Sequence, residues 1–289
     1  MQDNSLLTTV MPIALAVIML GLGLSLTIED FRRVVKYPKA VFTGLFCQMI
    51  ILPAACFAIV KIFNLPSELA IGMMLLAASP GGPTANLYSH LSKGDVALNI
   101  TLTAVNSVLT LFSLPFIVEF SLAQFATAGE ITMPFKKVIE VFLIVLIPVG
   151  IGMIIKARAS AFADKMNKPV KILSAIFLVL VIVGAVLKDK ENIGLYIQQV
   201  GIAAITFNVV SMAVGYFLPR LLNINKSQSI AIGMEIGIHN GTLAIFIALN
   251  ALNNSVIAMP PAIYSLIMFF TAAGFGFLVN LKREGFETK

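Results

Sequence analysis

The chain has 289 residues, of which 58% are hydrophobic and 12% are charged, and its mean hydropathy is +0.96. A soluble core cannot bury so large an apolar fraction, so the composition indicates an integral membrane protein. The formal net charge of +6 does not indicate nucleic-acid binding, because the basic residues lie in short loops beside apolar segments, where membrane topology explains them.

Charge-free segments close to the spanning length of roughly 20 residues recur along the chain. They predict an all-α polytopic membrane protein that forms one transmembrane domain over residues 1–289. The first segment has no basic residue before it, so we interpret it as a retained span and not as a cleaved signal. The nine predicted spans are 6–28, 40–60, 69–91, 96–118, 138–155, 172–187, 193–218, 227–251 and 258–281.

The basic residues are distributed unequally between the two sides that nine spans define. Of the 20 lysines and arginines, five fall on the side of the N-terminus and fifteen on the opposite side. Cytoplasmic loops carry the excess of basic residues in membrane proteins, so the N-terminus is predicted outside and the C-terminus in the cytoplasm. A plasma membrane is the expected location, which in a bacterium is the inner membrane.

An internal repeat links the third and eighth predicted spans. The third contains the residues Ala-Ile-Gly-Met at 70–73, and the eighth contains the same four residues at 231–234. Each copy leads into a stretch rich in glycine and asparagine, at 80–86 and at 237–241. Spans five apart cross the membrane in opposite directions, so the pattern predicts an inverted-topology repeat with two discontinuous helices at a transport site.

Glu235 is the only formally charged residue among the 55 residues that separate Lys226 from Lys282. A carboxylate in hydrocarbon costs several kcal/mol unless a partner compensates it, so an intramembrane acid is a hypothesis of function. The alternative is a buried carboxyl group that desolvation keeps neutral. Glycines surround Glu235, and an interrupted helix at membrane depth is tolerated inside protein or beside a water-filled cavity.

Oxygen-bearing side chains near these interruptions suit a small hard cation. Asn99, Thr103, Asn106 and Thr110 form one polar stripe on the fourth span. Such residues also bond neighbouring helices, so packing and ligation remain equal alternatives for the stripe alone. With two histidines in the chain and no cysteine nearby, metals that prefer nitrogen or sulfur fit poorly. The side-chain oxygens predicted to hold an alkali cation are those of Asn86, Asn99, Thr103 and Glu235, with Gln48 and the carbonyls of Ile236 and Ile238 as a second site that shares Glu235.

Two motifs, one after the other along the chain, resemble those of the bile acid:sodium symporter family, in particular of its bacterial homologues of the apical sodium-dependent bile acid transporter. The first is Pro-Gly-Gly at 80–82 with Asn86, followed by Gly-Asp-Val-Ala-Leu at 94–98. The second is Glu235-x-Gly-x-x-Asn240, and the likeness extends over nearly the whole chain. The resemblance implies a core domain at 40–118 and 193–281 that moves against a panel domain at 6–28 and 138–187. The chain is expected to lack one helix of the first repeat, which some bacterial relatives have.

The resemblance also implies two sodium ions and an organic anion as bound species. It adds Ala85 to the first sodium site and His239 to the second, and it places the substrate at Asn240 beside Pro83, Thr84 and Gly241. Three positions depart from the family pattern. Ala85 offers only its backbone where relatives can have serine, Asn99 replaces a hydroxyl, and His239 replaces a glutamine.

We therefore expect a sodium-coupled symporter that imports a bile acid-like anion or a small carboxylate such as pantoate. The alternative is a proton-coupled or uncoupled anion facilitator in which Glu235 and His239 titrate. An intramembrane enzyme is disfavoured, because the sequence has no His-Glu-x-x-His zinc motif and no aspartate pair suited to catalysis. A membrane sensor is disfavoured because eight residues follow Leu281.

Overall fold

A computed structural model describes residues 4–126, 135–188 and 191–281. These residues are helical or form loops, apart from one isolated antiparallel bridge between Gly81 and His239. The helices are α1 (Asn4–Ser25), α2 (Ile28–Lys36), α3 (Pro38–Phe46), α4 (Leu52–Ile62), α5 (Ser67–Ala78), α6 (Pro83–Leu91), α7 (Val96–Phe125), α8 (Phe135–Arg158), α9 (Ser160–Lys188), α10 (Ile193–Leu221), α11 (Lys226–Gly237), α12 (Gly241–Phe246) and α13 (Met259–Asn280). Two π-helical turns, Cys47–Ile51 and Ile247–Ala251, follow α3 and α12.

Five helical segments among the described residues are long and apolar enough to cross a membrane by themselves. The bent pair formed by α1 and α2 would make a sixth, with an angle of 60° between its halves. The interruptions divide two further predicted spans, 69–91 and 227–251, into shorter apolar helices. The prediction of nine spans therefore stays a prediction, whereas the all-helical membrane architecture is confirmed. The five segments are Pro38–Ile62, Val96–Phe125, Ile139–Arg158, Ile193–Leu221 and Met259–Asn280.

Side-chain caps define where several helices begin. Asp95 accepts a hydrogen bond from the backbone N–H of Leu98 at 3.0 Å, and this bond starts α7. Asn225 accepts from the backbone N–H of Gln228 at 2.9 Å and starts α11 in the same way. Such caps satisfy N–H groups that have no partner within the helix, which matters most where the surroundings exclude water.

The helices pack in two groups around the core. In one group α1 packs along α8 and α9, and in the other α5, α7, α10, α11 and α13 pack on one another. Large apolar side chains on the outside remain exposed, and Phe270 is 82% exposed. An exposed apolar surface of this kind is expected where lipid surrounds a protein.

The helix pairs α5–α6 and α11–α12 share a layout. Both α5 and α11 are 12 residues long, and each ends at an interruption that a short helix follows. Three residues before each of them lies an asparagine with a positive φ, Asn64 at 48° and Asn223 at 58°. Asparagine tolerates this backbone conformation better than most residues, and it ends the preceding helix here.

Candidate functional site

The two interruptions meet and hydrogen-bond to each other at a point we call the crossing, formed by residues 79–82 and 238–240. The backbone N–H of Asn240 donates to the carbonyl of Pro80 at 2.8 Å, and that of Gly82 donates to the carbonyl of Ile238 at 3.3 Å. Gly81 and His239 form the antiparallel bridge between these bonds. Each interruption thus satisfies backbone groups that the other leaves without a partner inside its helix.

Glu235 lies in the last turn of α11, fully buried at 0% exposure. Thr103 Oγ1 donates to its Oε2 at 2.6 Å, and Asn106 Nδ2 donates to its Oε1 at 3.2 Å. A backbone hydrogen bond links it to Gly81. In the described part of the chain, the ion pairs lie elsewhere. Neutral donors therefore hold this carboxylate, and they supply no compensating charge.

Gly81 approaches Glu235 so closely that a side chain at this position would have to displace the carboxyl group. A Cβ atom built on Gly81 would overlap the carboxyl group of Glu235. At the adjacent Gly82, the nearest atom to such a Cβ is Thr84 Oγ1, at an ordinary 3.7 Å. Because glycine lacks the side chain that would collide, the backbone of the first interruption can lie directly against the buried acid.

Four buried amide side chains around the crossing share one hydrogen-bonding pattern: the nitrogen has a partner and the oxygen has no described partner. The nitrogen of each donates to a group that acts as an acceptor: a backbone carbonyl, Glu235 or, for Asn208, also the hydroxyl oxygen of Tyr264, whose own proton goes to Gly237. The amide oxygen must then face the other way, and among the described residues these oxygens are buried without a partner. The amides are Asn99, which donates to Ala231, Asn106, which donates to Glu235, Gln48, which donates to Ala77 and Ser79, and Asn208, which donates to Gly237 and Tyr264.

The residues predicted for the first sodium site lie on three helices that pack together. Thr103 contacts Glu235 directly, and Asn99 reaches the carbonyl of Ala231, one turn before Glu235 on α11. Asn86 lies on α6, half-buried, with its Oδ1 buried and without a described partner. Ala85 is fully buried beside it. The helices α6, α7 and α11 contact one another, so the fold brings this set to one region.

Two of the residues predicted for the second site, Gln48 and His239, meet at the carbonyl of Ser79. Gln48 Nε2 and His239 Nδ1 both lie 3.1 Å from this oxygen. Since a carbonyl accepts, Nδ1 of a neutral His239 must carry the proton, and Nε2 keeps a free lone pair. This Nε2 atom is buried without a partner among the described residues. The two isoleucines, Ile236 and Ile238, are fully buried.

A family model described as "Sodium Bile acid symporter family" matches residues 12–195, which is more than half of the chain. The chain belongs to the sodium bile acid symporter family. This assignment confirms the resemblance seen in the motifs, and the family is one of transporters and not of enzymes. Among the described residues, no group of three or more His, Cys, Asp or Glu side chains could hold a metal ion.

Curated relatives within this symporter family come from plants, bacteria and animals. A probable chloroplastic sodium/metabolite cotransporter of Arabidopsis thaliana is 28% identical over 255 residues, which cover 88% of this chain and 62% of the plant protein. An uncharacterized sodium-dependent transporter of Bacillus subtilis is 29% identical and covered to 78% of its length. The ileal sodium/bile acid cotransporter of Homo sapiens is 25% identical over 96% of this chain and 80% of its own length. The chain thus spans less than two thirds of the plant relative.

The residues that the symporter family implies for the substrate lie at the starts of α6 and α12. Asn240 is 8% exposed, and its Oδ1 accepts from the backbone N–H of Leu243 at 3.1 Å, which caps α12. Gly241 is buried against Ser265. Thr84 is half-buried, and Pro83 is the first residue of α6. The predicted interruption at 80–86 is shorter in the structure, because proline fits the first turn of a helix.

The sequence patterns did not identify three residues that contact the last turn of α11, next to the crossing. Asn106 belongs to the predicted polar stripe but was not predicted as a sodium ligand, although it donates a hydrogen bond to Glu235. Asn208 and Tyr264 both bond the carbonyl of Gly237 at 2.9 Å, the last residue of α11. The buried polar atoms of Asn208 and Tyr264 lie in apolar spans, and a single asparagine in such a span was the signal available.

Proposed function

We propose that this chain is a sodium-coupled symporter for an organic anion and that the driving ion binds at Glu235. The observation that carries the proposal is the fully buried Glu235, which neutral donors hold, in a region where several buried amide oxygens have no described partner. Family membership supports sodium coupling in general.

A buried carboxylate and free oxygens complement a small monovalent cation. Leaving the charge of Glu235 uncompensated costs several kcal/mol, and each buried oxygen without a partner costs about 1–3 kcal/mol more. One sodium ion would offset both, because hard cations prefer oxygen ligands. Potassium is larger, so a compact set of oxygens would favour sodium.

The first site would take its ligands from three helices and the second from residues at and next to the crossing. Asn99, Thr103 and Glu235 would form the first site together with Asn86 and the backbone of Ala85. Glu235 would be shared with the second site. The remaining proposed ligands of the second site are Gln48, His239 and the carbonyls of Ile236 and Ile238.

Sodium binding would favour the substrate by ordering the crossing. Both proposed sites use residues on either side of the hydrogen bonds that join the two interruptions. The nine-residue helix α6 begins at this point, and helix N-termini favour anions. We place the carboxylate of the substrate there, near Asn240, Thr84, Pro83 and Gly241. Coupling is reciprocal, so the substrate should tighten sodium binding by the same factor.

The architecture we propose has nine spans in an inverted repeat. The common layout of α5–α6 and α11–α12 supports the repeat, including the asparagines with positive φ before each pair. The separate packing of α1, α8 and α9 supports a panel at 6–28 and 138–187 and a core at 40–118 and 193–281. The excess of basic residues supports a cytoplasmic C-terminus in a plasma membrane.

The proposed substrate class is based on the chemistry of the site and on the substrates that the names of relatives mention. The human relative is named for bile acid and the plant relative for a metabolite. We propose an organic anion with a carboxylate, either bile acid-like or small, such as pantoate.

The test is the thermal stability of purified protein in sodium chloride and in potassium chloride at equal ionic strength. A ligand that binds the folded state raises stability by RT ln(1 + [L]/Kd). We expect a sodium-specific increase in Tm for the native chain and none for Glu235→Gln, which keeps the side-chain shape. Glu119→Gln, which alters an exposed acid on the same α7 that carries Thr103, is the matched control. A Glu235→Gln protein that responds to sodium like the control would refute the assignment.

A panel of carboxylates then ranks substrates. Each compound is added in sodium and, separately, in potassium. A coupled substrate raises Tm in sodium and has little effect in potassium, whereas a compound that acts equally in both salts is not coupled to sodium.

His239 supports a second candidate, a proton-coupled or uncoupled facilitator. Its Nε2 atom keeps a lone pair that faces no described partner at the crossing. Uptake at full rate in sodium-free buffer would favour this candidate over sodium symport. Loss of uptake without sodium would exclude it.

A further inference from the structure

The polar stripe of α7 continues beyond Glu235. Asn106 and Thr110 are four residues apart on one face of the helix, and both are 0% exposed. Asn106 Nδ2 donates to Glu235 Oε1, so its Oδ1 faces away from the carboxylate. This oxygen and Thr110 Oγ1 are both buried without a partner among the described residues. The proposed ligand sets assign neither atom.

Thr110 differs from the other buried hydroxyls of α7. Thr101 donates to the carbonyl of Ala97 at 2.9 Å, and Ser107 donates to that of Thr103 at 2.7 Å. Bonds of this kind to the carbonyl four residues earlier are how a threonine or serine inside a helix usually satisfies its hydroxyl group. Thr110 Oγ1 makes no such bond, so packing alone does not account for a polar atom at this position.

The face that carries these two atoms leads toward Gln48. Ser113, three residues after Thr110, donates from Oγ to Met49 Sδ at 3.3 Å. Met49 lies in the π-helical turn Cys47–Ile51, next to Gln48, whose Oε1 is buried without a described partner. π-Helical turns inside α-helices often mark functional sites. Two free oxygens of α7 and one of the π-helical turn thus lie on elements that pack together.

We propose that Asn106 Oδ1 and Thr110 Oγ1 form a cation subsite next to Glu235, on the side of the carboxylate away from Asn99. Residues four apart on a helix have Cβ atoms roughly 5–6 Å apart, so one ion can contact both side chains. Sodium would occupy this subsite on its way to or from Glu235, with Gln48 at its far end. The inference rests on the proposed sodium coupling.

The experiment compares Thr110→Val with Thr101→Val, two changes that remove one buried hydroxyl from the same helix and keep the side-chain shape. The measurement is the sodium concentration that gives half of the sodium-specific Tm increase, with potassium replacing sodium at constant ionic strength. We expect Thr110→Val to raise this concentration roughly tenfold, the equivalent of about 1.4 kcal/mol, because the ion loses one oxygen ligand. Thr101→Val and the hydroxyl-retaining Thr110→Ser should stay close to the native chain.

The possible outcomes separate this inference from the proposed function. If Thr110→Val responds to sodium like Thr101→Val while the native chain responds and Glu235→Gln does not, the subsite is refuted and the proposed function stands. A buried water at Thr110 would give that result, because water does not distinguish sodium from potassium. If the native chain shows no sodium-specific increase, the proposed function fails and the subsite fails with it.

Discussion

The crossing and the contact between α1 and α8 are both places where backbones approach closely, but they differ in what lies between them. At the α1–α8 contact, a Cβ atom on Gly23 would overlap backbone atoms of Val149, and one on Gly152 would overlap the backbone of α1. At the crossing, the corresponding glycine, Gly81, faces the carboxyl group of Glu235. Small residues allow close packing of helices in lipid in both cases.

The difference indicates that the α1–α8 contact contributes to stability and that the crossing contributes to binding. Backbone against backbone leaves no polar side chain in need of a partner, so the α1–α8 contact can be satisfied by packing alone. The crossing instead surrounds a buried acid with donors and leaves several amide oxygens free. Changes at the two contacts should therefore separate stability from the sodium response.

The largest effect is expected for Gly81→Ala. The added methyl group overlaps the Glu235 carboxyl group, so the crossing or the acid must shift, at a cost of about 3 kcal/mol in stability. We expect a lower Tm and loss of the sodium-specific increase. Gly82→Ala is the matched control, because its methyl group meets Thr84 Oγ1 at 3.7 Å. Equal sodium responses of the two variants would show that the approach of Gly81 to Glu235 does not matter for ion binding.

Gly152→Ala should lower stability and leave sodium binding unchanged. The methyl group would overlap the backbone of α1, and overpacking of this kind costs about 1–3 kcal/mol. Gly150→Ala is the control on the same helix, since nothing lies within 4 Å of a Cβ there. Tm in potassium should fall for Gly152→Ala alone, and the increase on adding sodium should be the same for both. A weaker sodium response of Gly152→Ala would mean that the α1–α8 contact takes part in ion binding.

The interruptions at the crossing and the buried acid beside them could be predicted because their signals are local in sequence. Pro80 and Pro83 around two glycines cannot continue a helix, and Glu235 stands alone in a long apolar stretch. Both interruptions and the contact of Thr103 with the acid are present in the structure. The length of each interruption was harder to predict, since a helix can restart at a proline.

The remaining features depend on contacts between distant parts of the chain. The 60° bend after α1 could not be predicted, because residues 26–27 include no proline and no pair of glycines. The roles of Asn208 and Tyr264 depend on α10 and α13 both reaching the end of α11. Single-sequence patterns indicate that a residue is polar in an apolar span, but they do not indicate which helix it will face.

Tyr264→Phe tests whether the hydrogen bonds at the end of α11 are needed for the sodium response. The hydroxyl group accepts from Asn208 Nδ2 at 2.8 Å and donates to the carbonyl of Gly237. The variant loses both bonds, but Asn208 still donates to Gly237, so the expected loss is about 1 kcal/mol of stability. The sodium response should weaken slightly. Tyr216→Phe, at a residue whose described contacts are made by its ring, is the control and should change neither quantity.

His239→Gln addresses the second proposed sodium site and should have the smallest effect on stability. A glutamine can keep the donor to Ser79 with its amide nitrogen, and it replaces the lone pair of Nε2 with an amide oxygen. Oxygen is the better ligand for a hard cation, so the sodium concentration for half of the Tm increase should fall by about threefold if the second site is occupied. An unchanged value would show that Nε2 does not face an ion, and the crossing would then bind sodium through the oxygens of α7 and Glu235 alone.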